Sequence, residues 1–271
     1  MSVDNPGDPA PTDQLVVHRK DVEQLTVYSW MREGHMNSAW PGDGKEVPPD
    51  GAEIKLRIIA FPGGSVREIW LDKETRTHPH GSYEAVLFYQ IDGRRVQMVN
   101  EESAQLNPGD ACLQPHGVQH STFTLRAGMF VEFAMPAPQH ANPEATWLKA
   151  SQAQVSNVVE WLDIGKLLSA TVETAALAPA DASRYAVHTF ALPGYPLLET
   201  RLAKGTVMLP RSEGSDQLFY VVKGAMHAVL ADTAVDVVTG DSMRSLAGRD
   251  YSFTALEDTV FIQTVIRADA G

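Results

Sequence analysis

Arg76-Thr77-His78-Pro79-His80-Gly81-Ser82-Tyr83-Glu84 opens the stretch that decides the fold, and Pro115-His116-Gly117-Val118-Gln119-His120 closes it. Between them lie Ala85-Val86-Leu87-Phe88-Tyr89, an apolar run of strand length, and the turn signals Asp92-Gly93 and Pro108-Gly109-Asp110. His78 and His80 are two apart, so a regular strand sends both side chains from one face. Glu84 lies an even number of residues beyond His80 and leads into the apolar run. His120 starts another strand-like run, His120-Ser121-Thr122-Phe123-Thr124-Leu125. Three imidazoles and one carboxylate on adjacent strands predict a nitrogen-rich, singly charged cage for a divalent transition metal.

The spacing resembles the cupin family. Its first motif runs Gly, five residues, His-x-His, three or four residues, Glu, six residues, Gly. Here His78, His80 and Glu84 match, while Asp72 replaces the leading Gly and eight residues separate Glu84 from Gly93. The second motif runs Gly, five residues, Pro-x-Gly, two residues, His, three residues, Asn. Gly109, Pro115, Gly117 and His120 match in register, with Thr124 in place of the Asn. The resemblance implies small β-barrels of jelly-roll type, with His78, His80, Glu84 and His120 binding a metal inside.

Around this stretch, 271 residues suffice for two domains of ordinary size, and 44% hydrophobic content for their cores. A formal charge of -12 argues against nucleic acid or an anionic membrane as partner. The single cysteine, Cys112, excludes an intramolecular disulfide and sits in the strand-like Ala111-Cys112-Leu113, where it reads as core. No apolar run approaches the roughly 20 residues of a membrane span. Residues 1–13 lack a signal-peptide core and read as a disordered tail, so a cytoplasmic protein is expected. Residues 32–42 form an expected loop in which His35 and Trp40 are candidates to cover the site, or to pack on a neighbouring domain or subunit. Asp92-Gly93 predicts a hairpin joining residues 84–90 to 96–99. Helical signals are confined to residues 143–149 and 158–168.

The second half repeats the frame. Gly93 to Gly109 and Gly224 to Gly240 span 16 positions each, Gly109-Asp110 returns as Gly240-Asp241, and Gly117 as Gly248. Gly205, Arg211, Glu213, Gln217 and Gly224 fit the spacing of the first cupin motif. That register sets Arg211 against His78, Glu213 against His80, Gln217 against Glu84 and Tyr251 against His120. A guanidinium stays protonated and does not ligate a cation. The chain therefore reads as all-β: two cupin barrels in tandem, the second degenerate, with short helices in the linker. The expected boundaries are 14–142 for the metal-binding barrel, 143–180 for the linker and 181–271 for the degenerate barrel. The second site is expected to be structural filling, or else a pocket for an anion or small ligand built on Arg211.

Four protein ligands leave a six-coordinate metal two open positions, which suit an enolate, or one substrate atom plus dioxygen. One metal per chain is expected, Fe(II) first, with Mn, Zn and Ni as alternatives. Alternation places Phe88, Thr122, Thr124 and Arg76 beside it, an apolar lining with one cation near the mouth. Within the family this ligand set is similar to those of acireductone dioxygenase, quercetin dioxygenase, oxalate decarboxylase and phosphomannose isomerase. The leading expectation is a non-haem Fe(II) dioxygenase cleaving a C–C bond in a small enolisable or aromatic substrate. The alternatives are an isomerase, lyase or cyclase using Zn or Mn as Lewis acid, and a sensor that binds a small molecule. The expected partner is a small-molecule substrate, and a homodimer is compatible with the sequence.

Overall fold

In the computed structural model the described residues are 14–33, 35–40, 42–81, 84–136, 146–148, 154–156, 185–190 and 196–266. Strands dominate them; the helical structure among them is a single 3-10 turn, Arg19–Asp21. Each half pairs a large antiparallel sheet with a four-stranded one. In the first half the large sheet runs Thr146–Leu148, Ala111–Gln114, Glu84–Gln90, Gly128–Pro136, Gly64–Leu71, Ala52–Phe61, Leu25–Arg32, His35–Ala39. Facing it are His80–Gly81, Gln119–Arg126, Arg94–Val99 and Glu102–Leu106. The second half repeats this with Ser242–Ser245, Asp216–Lys223, Thr259–Ile266, Leu197–Leu202 and Tyr185–Phe190 in its large sheet. Its small sheet is Val207–Arg211, Tyr251–Ala255, Ala225–Leu230 and Thr233–Val238.

Strand pairing fixes the correspondence between the halves. Arg95 pairs with Thr124, Gln97 with Thr122 and Val99 with His120. In the second half Met226 pairs with Ala255, Ala228 with Phe253 and Leu230 with Tyr251. Every partner is 131 positions on, the separation of Gly93 from Gly224. Both glycines are left-handed, at φ 73° and 89°. A Cβ at Gly93 would meet Gly128 Cα at 2.7 Å, and one at Gly224 would meet the Asp258 carbonyl oxygen at 2.5 Å. Only glycine lets two backbones approach so closely while φ is positive.

This register corrects the one expected from motif spacing. Arg211 pairs with Tyr251 as His80 pairs with His120, so Arg211 stands where His80 does, not where His78 does. Gln217 pairs with Ser245 as Val86 pairs with Gln114, so Gln217 matches Val86 rather than Glu84. The extra residues between Glu84 and Gly93 lie within a strand, and counting from the motif slips by two.

The expected hairpin is also absent. Arg94–Val99 pairs with Gln119–Arg126 and Glu102–Leu106, while Glu84–Gln90 pairs with Ala111–Gln114 and Gly128–Pro136. Asp92-Gly93 turns the chain out of one sheet into the other instead of folding a strand back on its neighbour. Residues 35–39, expected within a loop, form an edge strand against Leu25–Arg32. Of the helices expected in the linker, residues 146–148 are a strand on Ala111–Gln114; residues 158–168 lie outside the described residues. The expected tail, residues 1–13, lies outside them too.

The halves share one core. Ile59, Phe61, Leu87, Leu113 and Phe133 pack in a cluster with Phe190, Leu197, Leu218, Ile262 and Ile266. The N-terminal segment straps them together. Expected in the first barrel, Val16–Val17 instead extends the second barrel's sheet through Ser242 and Met243. Arg19 then crosses to Glu68 of the first barrel at 2.8 and 2.9 Å. Among the described residues, no helix is long and apolar enough to cross a membrane.

Candidate functional site

His120 enters the first barrel from the Gln119–Arg126 strand and His80 from the short strand paired with it. Their rings lie 4.0 Å apart, centroid to centroid. His80 Nδ1 lies 2.8 Å from the His78 carbonyl oxygen. A carbonyl only accepts, so Nδ1 carries the proton and Nε2 keeps a lone pair. His120 is buried and its Nδ1 has no hydrogen-bond partner. Burial lowers the pKa of both rings, that of His120 the further, with the charges of His80 and Arg95 adding to the effect. Two neutral imidazoles side by side are suitable donors for a transition metal.

The other two expected ligands are placed differently. His78 precedes the strand and stays half-exposed, its pKa lowered by partial burial and by Arg76, and opposed by Asp50. The regular alternation that would align it with His80 is broken. Thr77 is buried, and its Oγ1 accepts from Thr122 N at 2.8 Å, so the chain shifts register between Thr77 and His80. The second barrel has the same irregularity between Met208 and Arg211. Pro79 and Pro210 occupy the two shifts, where a residue without an N–H fits a gap in the ladder. The same break leaves Arg76 exposed rather than inward. Glu84 bonds Arg67 Nη2 at 2.5 Å. Among the described residues no group of three or more His, Cys, Asp or Glu side chains gathers closely enough to hold a metal ion. The donor chemistry of His80 and His120 thus fits a metal, and the four-donor cage is not assembled around them.

Phe88, Thr122 and Thr124 are buried in the first barrel. With them lie charges that the sequence reading passed over. Arg95 is 1% exposed, and its guanidinium carbon sits 3.6 Å from the Phe130 ring centre and 5.0 Å from that of Phe88. Its Nε donates to Gln90 at 2.7 Å and its Nη1 to Gln97 at 2.5 Å. Burial lowers its pKa to about 10. Glu132, on the neighbouring sheet, is raised to about 7 by burial, against the pull of Arg67 and Arg95. The available signal was an acid in Met129-Phe130-Val131-Glu132-Phe133, a run apolar on both faces. Which of Arg94 and Arg95 points inward had no such marker.

The second barrel fills the same space differently. Phe219, Tyr251, Phe253 and Phe261 pack ring against ring at 5.2–6.1 Å. Beside them Arg211 and Glu213 form a buried ion pair, and the Tyr251 hydroxyl donates to Glu213 at 3.3 Å. Gln217, also buried, donates to the Ser215 carbonyl at 3.1 Å. Of the expected covering residues, Trp40 is half-buried at the end of the edge strand, and the His35 side chain lies outside the described residues.

No family model matches the chain. Among solved structures, AerE from Microcystis aeruginosa aligns with a TM-score of 0.63 at 7% identity, over 83% of this chain and 96% of that one. Oxalate decarboxylase of Bacillus subtilis aligns at 0.62 and 12%, over 97% and 80%. A salicylate 1,2-dioxygenase mutant from Pseudoaminobacter salicylatoxidans aligns at 0.52 and 14%, over 76% and 70%. At these identities the likeness concerns the fold, and the fold is that of tandem cupin barrels. A stretch of 73 residues is 34% identical to the ATP synthase epsilon chain of Bordetella petrii; it covers 25% of this chain and about half, 52%, of that relative.

Proposed function

We propose that the chain is a metal-dependent enzyme whose first barrel is active and whose second is structural. One observation carries this reading. The same barrel is built twice, and the first copy buries His120, Arg95 and Glu132 where the second buries Tyr251, Met226 and Gln263. The second copy's buried charges, Arg211 and Glu213, are paired with each other, whereas in the first His120 Nδ1 has no partner and Arg95 is held by neutral amides. Buried polar and ionisable groups cost stability, so their placement around one interior points to chemistry there.

His80 and His120 would hold the metal, joined by Glu84 on release from Arg67, with His78 as a fourth donor from the mouth. A bound divalent metal would polarise a bidentate oxygen ligand and, as Fe(II), would supply redox chemistry with dioxygen. The chain's own residues shape what approaches. Phe88 and Phe130 exclude water and favour a flat or enolic carbon frame. Oxygenative C–C cleavage of a small enolisable or aromatic acid is the favoured reaction. By their names, two similar structures act on small organic acids, oxalate and salicylate.

Glu132 favours a second reading. A buried carboxyl near 7 is suited to move a proton at neutral pH, which is the work of an isomerase or lyase with Mn or Zn as Lewis acid. The Bacillus subtilis decarboxylase is described as having Mn(II) centres. Anaerobic loading with Fe(II), then oxygen uptake over diketones and phenolic ketones, tests the first reading. Uptake that depends on iron and on His120 supports it. Turnover without oxygen, with Mn or Zn bound, transfers support to the second.

A further inference from the structure

We infer that Arg95 and Gln97 form a binding site for the carboxylate of a small organic acid inside the first barrel. The inference deepens the proposed function, resting on the reading of that barrel as the active one, and names the end of the substrate that it grips.

Both side chains are fully enclosed, Arg95 at 1% and Gln97 at 0% exposure. Their mutual bond fixes their orientation. Gln97 Oε1 accepts from Arg95 Nη1 and from Thr122 Oγ1, each at 2.5 Å. With its oxygen committed twice, the amide turns its nitrogen away. Arg95 Nη2 and Gln97 Nε2 are then both left without an acceptor. Thr124 Oγ1, in the strand pair opposite Arg95, also has no partner. An unmatched buried donor costs stability, and more when charged, so two together in one network call for an acceptor.

Charge names the kind of acceptor. The groups holding Arg95 are neutral: Gln90, Gln97, Thr122 and two aromatic rings. The carboxyl whose charge reaches it is that of Glu132, which burial leaves about half protonated near neutral pH. A carboxylate offers two acceptor oxygens to such donors and supplies the missing negative charge. Phe88 links this position to the histidines, with the His120 ring 5.9 Å from its own. An acid held at Arg95 and Gln97 would therefore extend past Phe88 toward His120.

The second barrel is an internal control. At the matching positions it has Met226 for Arg95, Ala228 for Gln97, Phe253 for Thr122 and Val221 for Gln90. All four are buried and apolar. Folding this barrel does not require the network, so its presence in one copy points to a ligand.

The test uses the full chain stripped of metal by chelation, so that no carboxylate is held by metal coordination. Benzoate and pyruvate are titrated by calorimetry and thermal shift, with benzamide as the neutral counterpart of benzoate. Wild type is expected to bind at least one carboxylate saturably and to gain thermal stability, while benzamide does neither. Arg95→Met, which installs the second barrel's residue, is expected to fold and lose affinity by about tenfold or more. Gln97→Ala should lose part of it, and Arg95→Lys should retain more than Arg95→Met. Binding of neither acid by wild type, equal binding by Arg95→Met, or benzamide binding as tightly as benzoate would overturn the site. Metal content is measured separately on His120→Ala. If metal binding fails and carboxylate binding stands, the proposed chemistry falls and this site does not.

Discussion

The Tyr220 hydroxyl, in the second barrel, donates a 2.7 Å hydrogen bond to Glu68 Oε1 in the first. The reverse contact exists too, from Tyr89 of the first barrel to Glu199 of the second. Tyr89 and Tyr220 are 131 positions apart, as are Glu68 and Glu199. A barrel packed against its own duplicate uses one patch twice, as a two-fold dimer does. Both glutamates are 1% exposed. Burial, reinforced by the facing carboxylate, raises both tyrosines, so each phenol remains a donor.

Breaking this junction should cost stability unequally from its two sides. Tyr220→Phe leaves Glu68 bonded to Arg19 and to Arg57 at 3.0 Å, and should cost about 1 kcal/mol. Glu68→Ala leaves both guanidiniums without that acid. It should cost about 2–3 kcal/mol, discounted because Arg19 is 31% exposed. Urea unfolding measures both, and a larger loss for Tyr220→Phe would contradict this account.

The tandem barrels were legible because turns are set by local backbone chemistry. Gly93, Gly109 and Gly117 recur as Gly224, Gly240 and Gly248, all with positive φ, and no other residue suits those sites as well. His120, Thr122 and Thr124 were legible because their strand alternates regularly. His78 and Arg76 were not, because the irregularity at Pro79 reverses the facing of everything before it. Nor was the destination of Arg94–Val99, since a turn signal does not say which of two stacked sheets receives the next strand. Glu68, Arg95 and Glu132 escaped for other reasons. Glu68 is buried by a partner far along the chain, Tyr220; Arg95 shares its local pattern with the exposed Arg94; and the one local mark of Glu132 is its apolar run.

Glu132 should tilt the pH dependence of stability. Its carboxyl is raised from 4.5 to about 7 by burial. A raised group stabilises the fold fully below its unfolded pKa, and this contribution is lost as pH rises through the folded value. Wild type should therefore lose stability relative to Glu132→Gln between about pH 4.5 and 7, by at most about 1.4 kcal/mol per unit. His80 and His120 are lowered and act in the opposite sense: their contribution is lost as pH falls. They are common to both proteins and largely cancel in the difference. Urea midpoints across this range check it, and a flat difference would refute it.

Metal content should follow the first barrel alone. His80→Ala or His120→Ala should abolish it while circular dichroism stays that of a β protein. Arg211→Ala should leave it unchanged, because a guanidinium repels a cation. Arg67→Met should raise metal affinity, because Glu84 loses the partner that now holds it at 2.5 Å. Elemental analysis after dialysis gives all four values. Two tightly held metals per chain, or full occupancy in His80→Ala, would mean that the centre lies elsewhere.

The Arg211–Glu213 pair allows the structural role proposed for the second barrel to be tested apart from any chemistry. Both residues are buried, at 3% and 6% exposure, and Arg211 lies 5.6 Å from the Tyr251 ring centre. Taking two charges out of water costs about what their attraction returns, so such a pair adds little net stability. Removing one partner strands the other in a low-dielectric interior. Glu213→Leu alone should therefore cost about 3 kcal/mol or more. Arg211→Met with Glu213→Leu should recover most of that loss, because two apolar side chains of similar volume extend the existing cluster of Phe219, Tyr251 and Phe253. Urea unfolding of the three proteins closes the cycle. A double variant as unstable as Glu213→Leu would mean that the pair is required by something other than packing, and would reopen the second barrel as a ligand site.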